Sequence, residues 1–185
     1  MFADQRSKRV IFVAHCILNQ NAKIDRCAHY PGAIRELASY LIGSDLGIVQ
    51  LPCPELLALG LDRQADPGLP STVESEDTRV ASRMSEEDAA GVCRRIANDV
   101  VQQIQEYVRN GFEAAGVLGI NGSPTCGVET NWRDGDEAPG PGVFVSCLQE
   151  RLRLAGISIQ FRGIKARESQ QAVMAAGEFA KTHSR

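Results

Sequence analysis

A chain of 185 residues, 43% hydrophobic and 23% charged, has the length of one ordinary domain and enough apolar residues for a real core. That balance excludes a fully disordered, collagen-like or coiled-coil protein. A formal net charge of −3, with Lys and Arg scattered along the chain, gives no electrostatic footprint for duplex nucleic acid or an anionic membrane.

The longest apolar stretch is a handful of residues, far short of the roughly 20 needed to cross a bilayer. The segment from Met1 to Arg9 is polar and has no signal-peptide core behind it. A cytoplasmic location is expected. Against that expectation the six cysteines are an excess, because disulfides are rare where thiols are kept reduced.

Val10 to Ala14 is a short β-branched run of the kind buried on both faces of a parallel sheet, and it ends at His15-Cys16. A helix is predicted from near Pro31, with Ile34, Leu37, Ala38 and Leu41 on one face and Gly43 as its stop. Gly47 to Leu51 is a second strand, closed by Pro52-Cys53-Pro54 and followed by Glu55. From Gly60 to Met84 no apolar period is visible, so a long loop, either a lid or a surface connection, is expected.

Ser85-Glu86-Glu87-Asp88 opens the most regular helix, in which Ala89, Val92, Ile96, Val100, Ile104 and Tyr107 recur at steps of three and four before Gly111. Ala114 to Ile120 is a third buried strand, left through the turn Asn121 to Gly127. Glu129 to Gly142 reads as a second long loop. A helix from Val143 to Ala155, a strand from Ile157 to Phe161 and a helix from Glu168 to Lys181 complete the alternation. Such alternation predicts a single α/β domain over residues 1–185: a three-layer sandwich whose mainly parallel sheet of about four strands has helices on both faces.

Ligands of open parallel sheets bind beyond the carboxyl ends of the strands. Here that edge is formed by the loops after the strands at 10–15, 47–52 and 114–121. Cys16, Cys53 and Cys126 each stand in one of these loops. Cys93 and Cys147 fall inside predicted helices as small core residues, and Cys27 is a loop thiol without an assigned role.

Three thiols gathered on one edge are able to hold a zinc ion, to bind an iron–sulfur cluster with one iron open, or to divide into a nucleophile and a resolving pair. No C-x-x-C pair is present, which disfavours structural zinc. Glu55 and Ser123 are candidates for proton handling, Glu55 through a carboxyl pKa raised by desolvation. His15 and Trp132 are expected to serve packing, although an indole in that loop is able to stack on a ring.

The same residues carry a resemblance. Cys16 after the first strand, Cys53-Pro54-Glu55 after the second and Ser123-Pro124-Thr125-Cys126-Gly127 after the third resemble the small desulfidase family typified by 2-thiouracil desulfurase (TudS-related), long catalogued as a domain of unknown function. The likeness runs from about Arg9 to Ala166. It implies a [4Fe–4S] cluster on Cys16, Cys53 and Cys126 with one open iron, and Glu55 and Ser123 as catalytic residues. The implied reaction is removal of sulfur from a small thiocarbonyl compound as sulfide, with oxygen taking its place. Asn19, Arg63 and Asn121 lie in the segments that would grip the substrate. Asn19 stands where glycine is usual. A sulfur or cluster carrier using the same three cysteines, and a metal-free cysteine-nucleophile hydrolase, are the competing readings.

Overall fold

The computed structural model describes residues 2–68 and 72–181. Its main sheet has four parallel strands: β1 (Arg9–Val13), β2 (Gly47–Gln50), β3 (Glu113–Ile120) and, after a hairpin of β4 (Thr130–Arg133) and β5 (Asp136–Pro139), β6 (Phe161–Ile164). The strand order is β2-β1-β3-β6. After β2 the chain crosses to the other side of β1, so the topological switch lies between β1 and β3, where strand-end loops diverge and leave a crevice.

Side chains of β1 alternate between two cores. Val10 and Phe12 pack on the face covered by α5 (Glu87–Arg109) and α6 (Val143–Leu154); Ile11 and Val13 pack on the face covered by α2 (Arg35–Ile42) and α7 (Ser169–Lys181). This period of two, buried on both sides, is what a central parallel strand requires. The α/β architecture with helices on both faces is therefore as the sequence predicts.

Four details differ. His15 does not continue the β1 alternation, because the chain turns at once into α1 (His15–Leu18) and a 3-10 turn (Gln20–Ala22). Cys53 is the N-cap of a short helix, α3 (Pro54–Leu59), with Pro54 in its first turn. Positions 69–71 of the expected 60–84 loop lie outside the described residues, and most of the rest of that loop is helix α4 (Val73–Met84), opened by a reciprocal Thr72–Ser75 capping box. The expected 129–142 loop holds the β4–β5 hairpin, turned at Asp134-Gly135 with both residues in the left-handed region.

The last strand is also displaced. Ile157 and Ile159 do pack on the core, but ladder pairing with β3 begins only at Val117↔Phe161. Upstream, Gly116 faces Phe179, which takes the space where a further pair of side chains would stand.

Among the described residues no helix is long and apolar enough to cross a membrane.

Candidate functional site

A cavity of about 490 Å³ opens at the carboxyl edge of the sheet, within the usual range of small-molecule pockets. Cys16, Cys53 and Cys126 all line it, as do Glu55 and Ser123. Three loops distant in sequence thus converge as the strand-end rule requires. Cys27 lines the same cavity, whereas Cys93 is packed in the core beneath α5 and Cys147 lies against that core. All six cysteines are free.

Each thiol is fixed by its local backbone. The buried Gln20 donates to the Cys16 carbonyl at 2.6 Å and accepts from the His29 amide at 3.1 Å, tying the Cys16 turn to the segment that carries Cys27. Cys53 Sγ accepts from the Leu56 amide at 3.5 Å, as the N-cap of α3. The Cys126 turn folds back on β3, with the Ile120 amide donating to the Cys126 carbonyl at 2.9 Å.

That close approach requires glycine at 119. A β-carbon there would run into the Cys126 carbonyl and lie 2.6 Å from Val128 Cγ2. Gly119→Ala is expected to destabilise the protein by about 1–3 kcal/mol through overpacking, with a lower urea midpoint as the readout.

Ser123 Oγ accepts from the amides of Thr125 at 3.2 Å and Cys126 at 3.0 Å. Two acceptor sites are then used, and the O–H remains to donate to whatever occupies the cavity. Glu55 Oε2 is 3.5 Å from Arg63 Nε, and Oε1 has no partner among the described residues.

Arg63, expected at the substrate, does not line the cavity. It is wholly buried and donates to the carbonyls of Gly60 at 2.6 Å, Leu61 at 3.0 Å and Ala22 at 2.5 Å, with Nη2 3.7 Å from Cys53 Sγ. The guanidinium is a strut beneath Glu55 and Cys53. Arg63→Ala strands those carbonyls and the Glu55 charge, and an expected loss of about 3–5 kcal/mol is measurable by chemical denaturation.

Asn19 is likewise set apart from the cavity lining. Its side chain accepts from the Asn21 amide at 3.1 Å, capping the 3-10 turn, and its Nδ2 is 3.3 Å from His15 Nε2. Asn121 does line the cavity, but its Oδ1 accepts from the amides of Val128, Glu129 and Thr130 and its Nδ2 donates to Glu129 at 2.8 Å. That amide staples the loop after Cys126.

Burial dominates the electrostatics. It pushes the Cys53 thiol up to about 12 and the Cys27 thiol up to about 11, and raises Cys16 and Cys126 as well. After burial, Cys126 is pushed further up by Cys53, Glu55 and Cys16. His29 is pushed down by burial, Lys23 and Arg167, consistent with Nε2 accepting from Arg167 Nε at 2.9 Å.

Of two further cavity residues, the sequence offered Trp132 for packing or ring stacking and gave no sign of Asp77. Trp132 on β4 lines the cavity, and its Nε1 donates to Thr78 Oγ1 on α4 at 2.9 Å, closing hairpin against helix. Asp77, one residue before Thr78, also lines the cavity; burial foremost, then Glu55, push its carboxyl up to about 7.

Among the described residues, no group of three or more His, Cys, Asp or Glu converges to hold a single metal ion.

No family model matches the chain. An uncharacterized protein of Methanocaldococcus jannaschii is 32% identical over 126 residues, which are 68% of this chain and 72% of that protein. The chain belongs to that protein's family. Of solved structures, a [4Fe–4S]-dependent thiouracil desulfidase is similar with 20% sequence identity and a TM-score of 0.47, over 92% of this chain and 99% of that one.

Proposed function

We propose that the chain is an iron–sulfur-dependent desulfidase that converts a small thiocarbonyl compound, such as a thiolated pyrimidine, to the carbonyl: C=S plus H₂O gives C=O plus H₂S. The observation that carries this reading is the meeting of Cys16, Cys53 and Cys126, from three separate strand-end loops, on one cavity that also holds Glu55 and Ser123.

Cys16, Cys53 and Cys126 are the residues that would hold a [4Fe–4S] cluster, which when bound supplies a soft Lewis-acidic iron to the sulfur of the substrate. The donor set fits. Three thiols are soft ligands, and they line one cavity of about 490 Å³, which leaves room for a cluster several ångströms across. Thr125 Oγ1, beside Cys126, is buried with no hydrogen-bond partner among the described residues. An orphaned hydroxyl next to a ligand thiol fits a turn that a bound group completes.

The chain's own groups then divide the proton work. Glu55, tethered through Oε2 to Arg63, has Oε1 available to take a proton from the attacking water. Ser123, its lone pairs held by two amides, donates its O–H toward the oxygen that replaces sulfur. Gln20 holds the Cys16 turn in place, and the Thr78–Trp132 hydrogen bond fixes one wall of the cavity.

A metal-free cysteine nucleophile is disfavoured on this geometry. Such a thiol needs a lowered pKa, whereas burial raises every cysteine of the cavity, and His15 is turned to Asn19. Anaerobic reconstitution tests the proposal: about four irons and four sulfides per chain are expected, with sulfide released from 2-thiouracil. A colourless, iron-free protein after reconstitution overturns it.

A further inference from the structure

Helix α4 carries a carboxyl where its core-facing stripe calls for an apolar side chain. Val73, Val80 and Met84 lie along one face, with Val80 and Met84 fully buried, and Asp77 occupies the step between Val73 and Val80 on that face. Asp77 lines the cavity and has no hydrogen-bond or ion-pair partner among the described residues. A half-buried polar group without a partner is costly, and such departures from the local pattern concentrate at functional sites.

The neighbouring residue explains what the carboxyl faces. Thr78 receives the Trp132 indole N–H at 2.9 Å, which holds the chain's one tryptophan beside the helix turn that carries Asp77, and both residues line the same cavity. An aromatic surface with a polar group at its edge is a site for a planar heterocycle.

We propose that Asp77 is a specificity-determining residue that reads the amide-like edge of such a heterocycle, accepting from a ring N–H with one oxygen and donating to the adjacent ring C=O with the other. This rests on the desulfidase reading for the identity of the substrate class, thiolated lactams, while the recognition itself involves only this chain and the ring.

Burial first, and then the charges around it, raise the Asp77 carboxyl to about 7, so a protonated, donating form is available up to about that pH. Glu55 on α3 and Glu74 and Glu76 on its own helix push its proton affinity up, against Lys23 at the end of the 3-10 turn. Glu76 is paired with Arg79 at 2.5 Å; from the packed elements, Arg133 on β4 turns to Asp134, and Arg94 on α5 pairs with Glu87. Cys27 faces Asp77 as a neutral thiol, and on the far wall Lys165 is paired with Glu137 and Arg167 donates to His29. The donating form is present below about 7 and is lost as pH rises through that value.

The test is calorimetric binding of uracil, the oxo product, to cluster-loaded and as-purified protein across the Asp77 midpoint. Wild-type affinity is expected to fall about tenfold per pH unit above the midpoint, as one linked proton requires. Asp77→Asn, whose amide is also one donor and one acceptor, should bind at every pH without that fall; Asp77→Ala should bind weakly throughout. A ¹³C NMR titration of the Asp77 carboxyl should show a midpoint near 7. Flat wild-type binding, no uracil binding, an Asn variant as weak as Ala, or a midpoint in the ordinary carboxylate range each overturns the inference. Failure to bind iron or release sulfide overturns the desulfidase reading instead, and the titration separates the two.

Discussion

Replacing any one of Cys16, Cys53 or Cys126 by serine is expected to abolish retention of iron and sulfide, and with it all sulfide release from 2-thiouracil. Each thiol comes from a different loop, so no neighbouring cysteine substitutes along the chain, and serine lacks the soft donor that iron–sulfur clusters take from the protein. Cys27 is the instructive control, because it also lines the cavity. Cys27→Ser should keep most of the cluster, while Cys93→Ser and Cys147→Ser should alter stability alone. Iron analysis and the visible absorption of anaerobically reconstituted variants check the pattern. Equal loss in all six variants would reduce the trio to three thiols among many.

The second large effect separates chemistry from storage. Glu55→Gln and Ser123→Ala are each expected to lower turnover by about 10²–10⁴-fold, the usual yield of one positioned proton-transfer group, with iron content and cluster spectrum unchanged. Glutamine keeps the shape beside Arg63 but takes no proton from water. Alanine at 123 removes both the O–H aimed at the cavity and the acceptor for two amides, so Ser123→Thr, which restores an Oγ, serves as its structural control. A sulfur or cluster carrier would retain its function in both variants; unimpaired sulfide release from Glu55→Gln would remove Glu55 from the chemistry, whereas cluster-loaded wild type that releases no sulfide would make the carrier the better reading.

The backbone of this fold was legible because its buried strands leave no choice of face. Val10 to Val13 can only be central, and the 3.6-residue stripe of α5 is uninterrupted from Ala89 to Ile104. The three cysteines were legible for the same reason: once the strands are located, their ends are located. Helix α4 was missed because Asp77 breaks its stripe at the position that faces the cavity, so a polar side chain hid the element presenting it. The Thr72–Ser75 cap was visible in principle. So was the hairpin, whose Asp134-Gly135 between Trp132 and Ala138 is the strongest short turn signal a sequence offers.

Arg63 shows a different gap. A cation in a Gly- and Asp-rich segment reads as a surface group, and only the carbonyls of Ala22, Gly60 and Leu61, brought together by the fold, explain its complete burial. The side-chain oxygens of Asn19 and Asn121 accept from backbone amides, and of the two only Asn121 lines the cavity.

An indole hydrogen bond ties helix α4 to the hairpin, and that indole is the only one in the chain. The protein therefore carries its own optical reporter in the wall of its cavity. Excitation of Trp132 monitors one place: an absorbing cofactor arriving on the cysteines should dim it, a heterocycle stacking on it should shift it, and separation of the helix from the hairpin should expose it to water. Loading, occupancy and opening are thus open to measurement in unlabelled protein, by a signal with no second source to subtract.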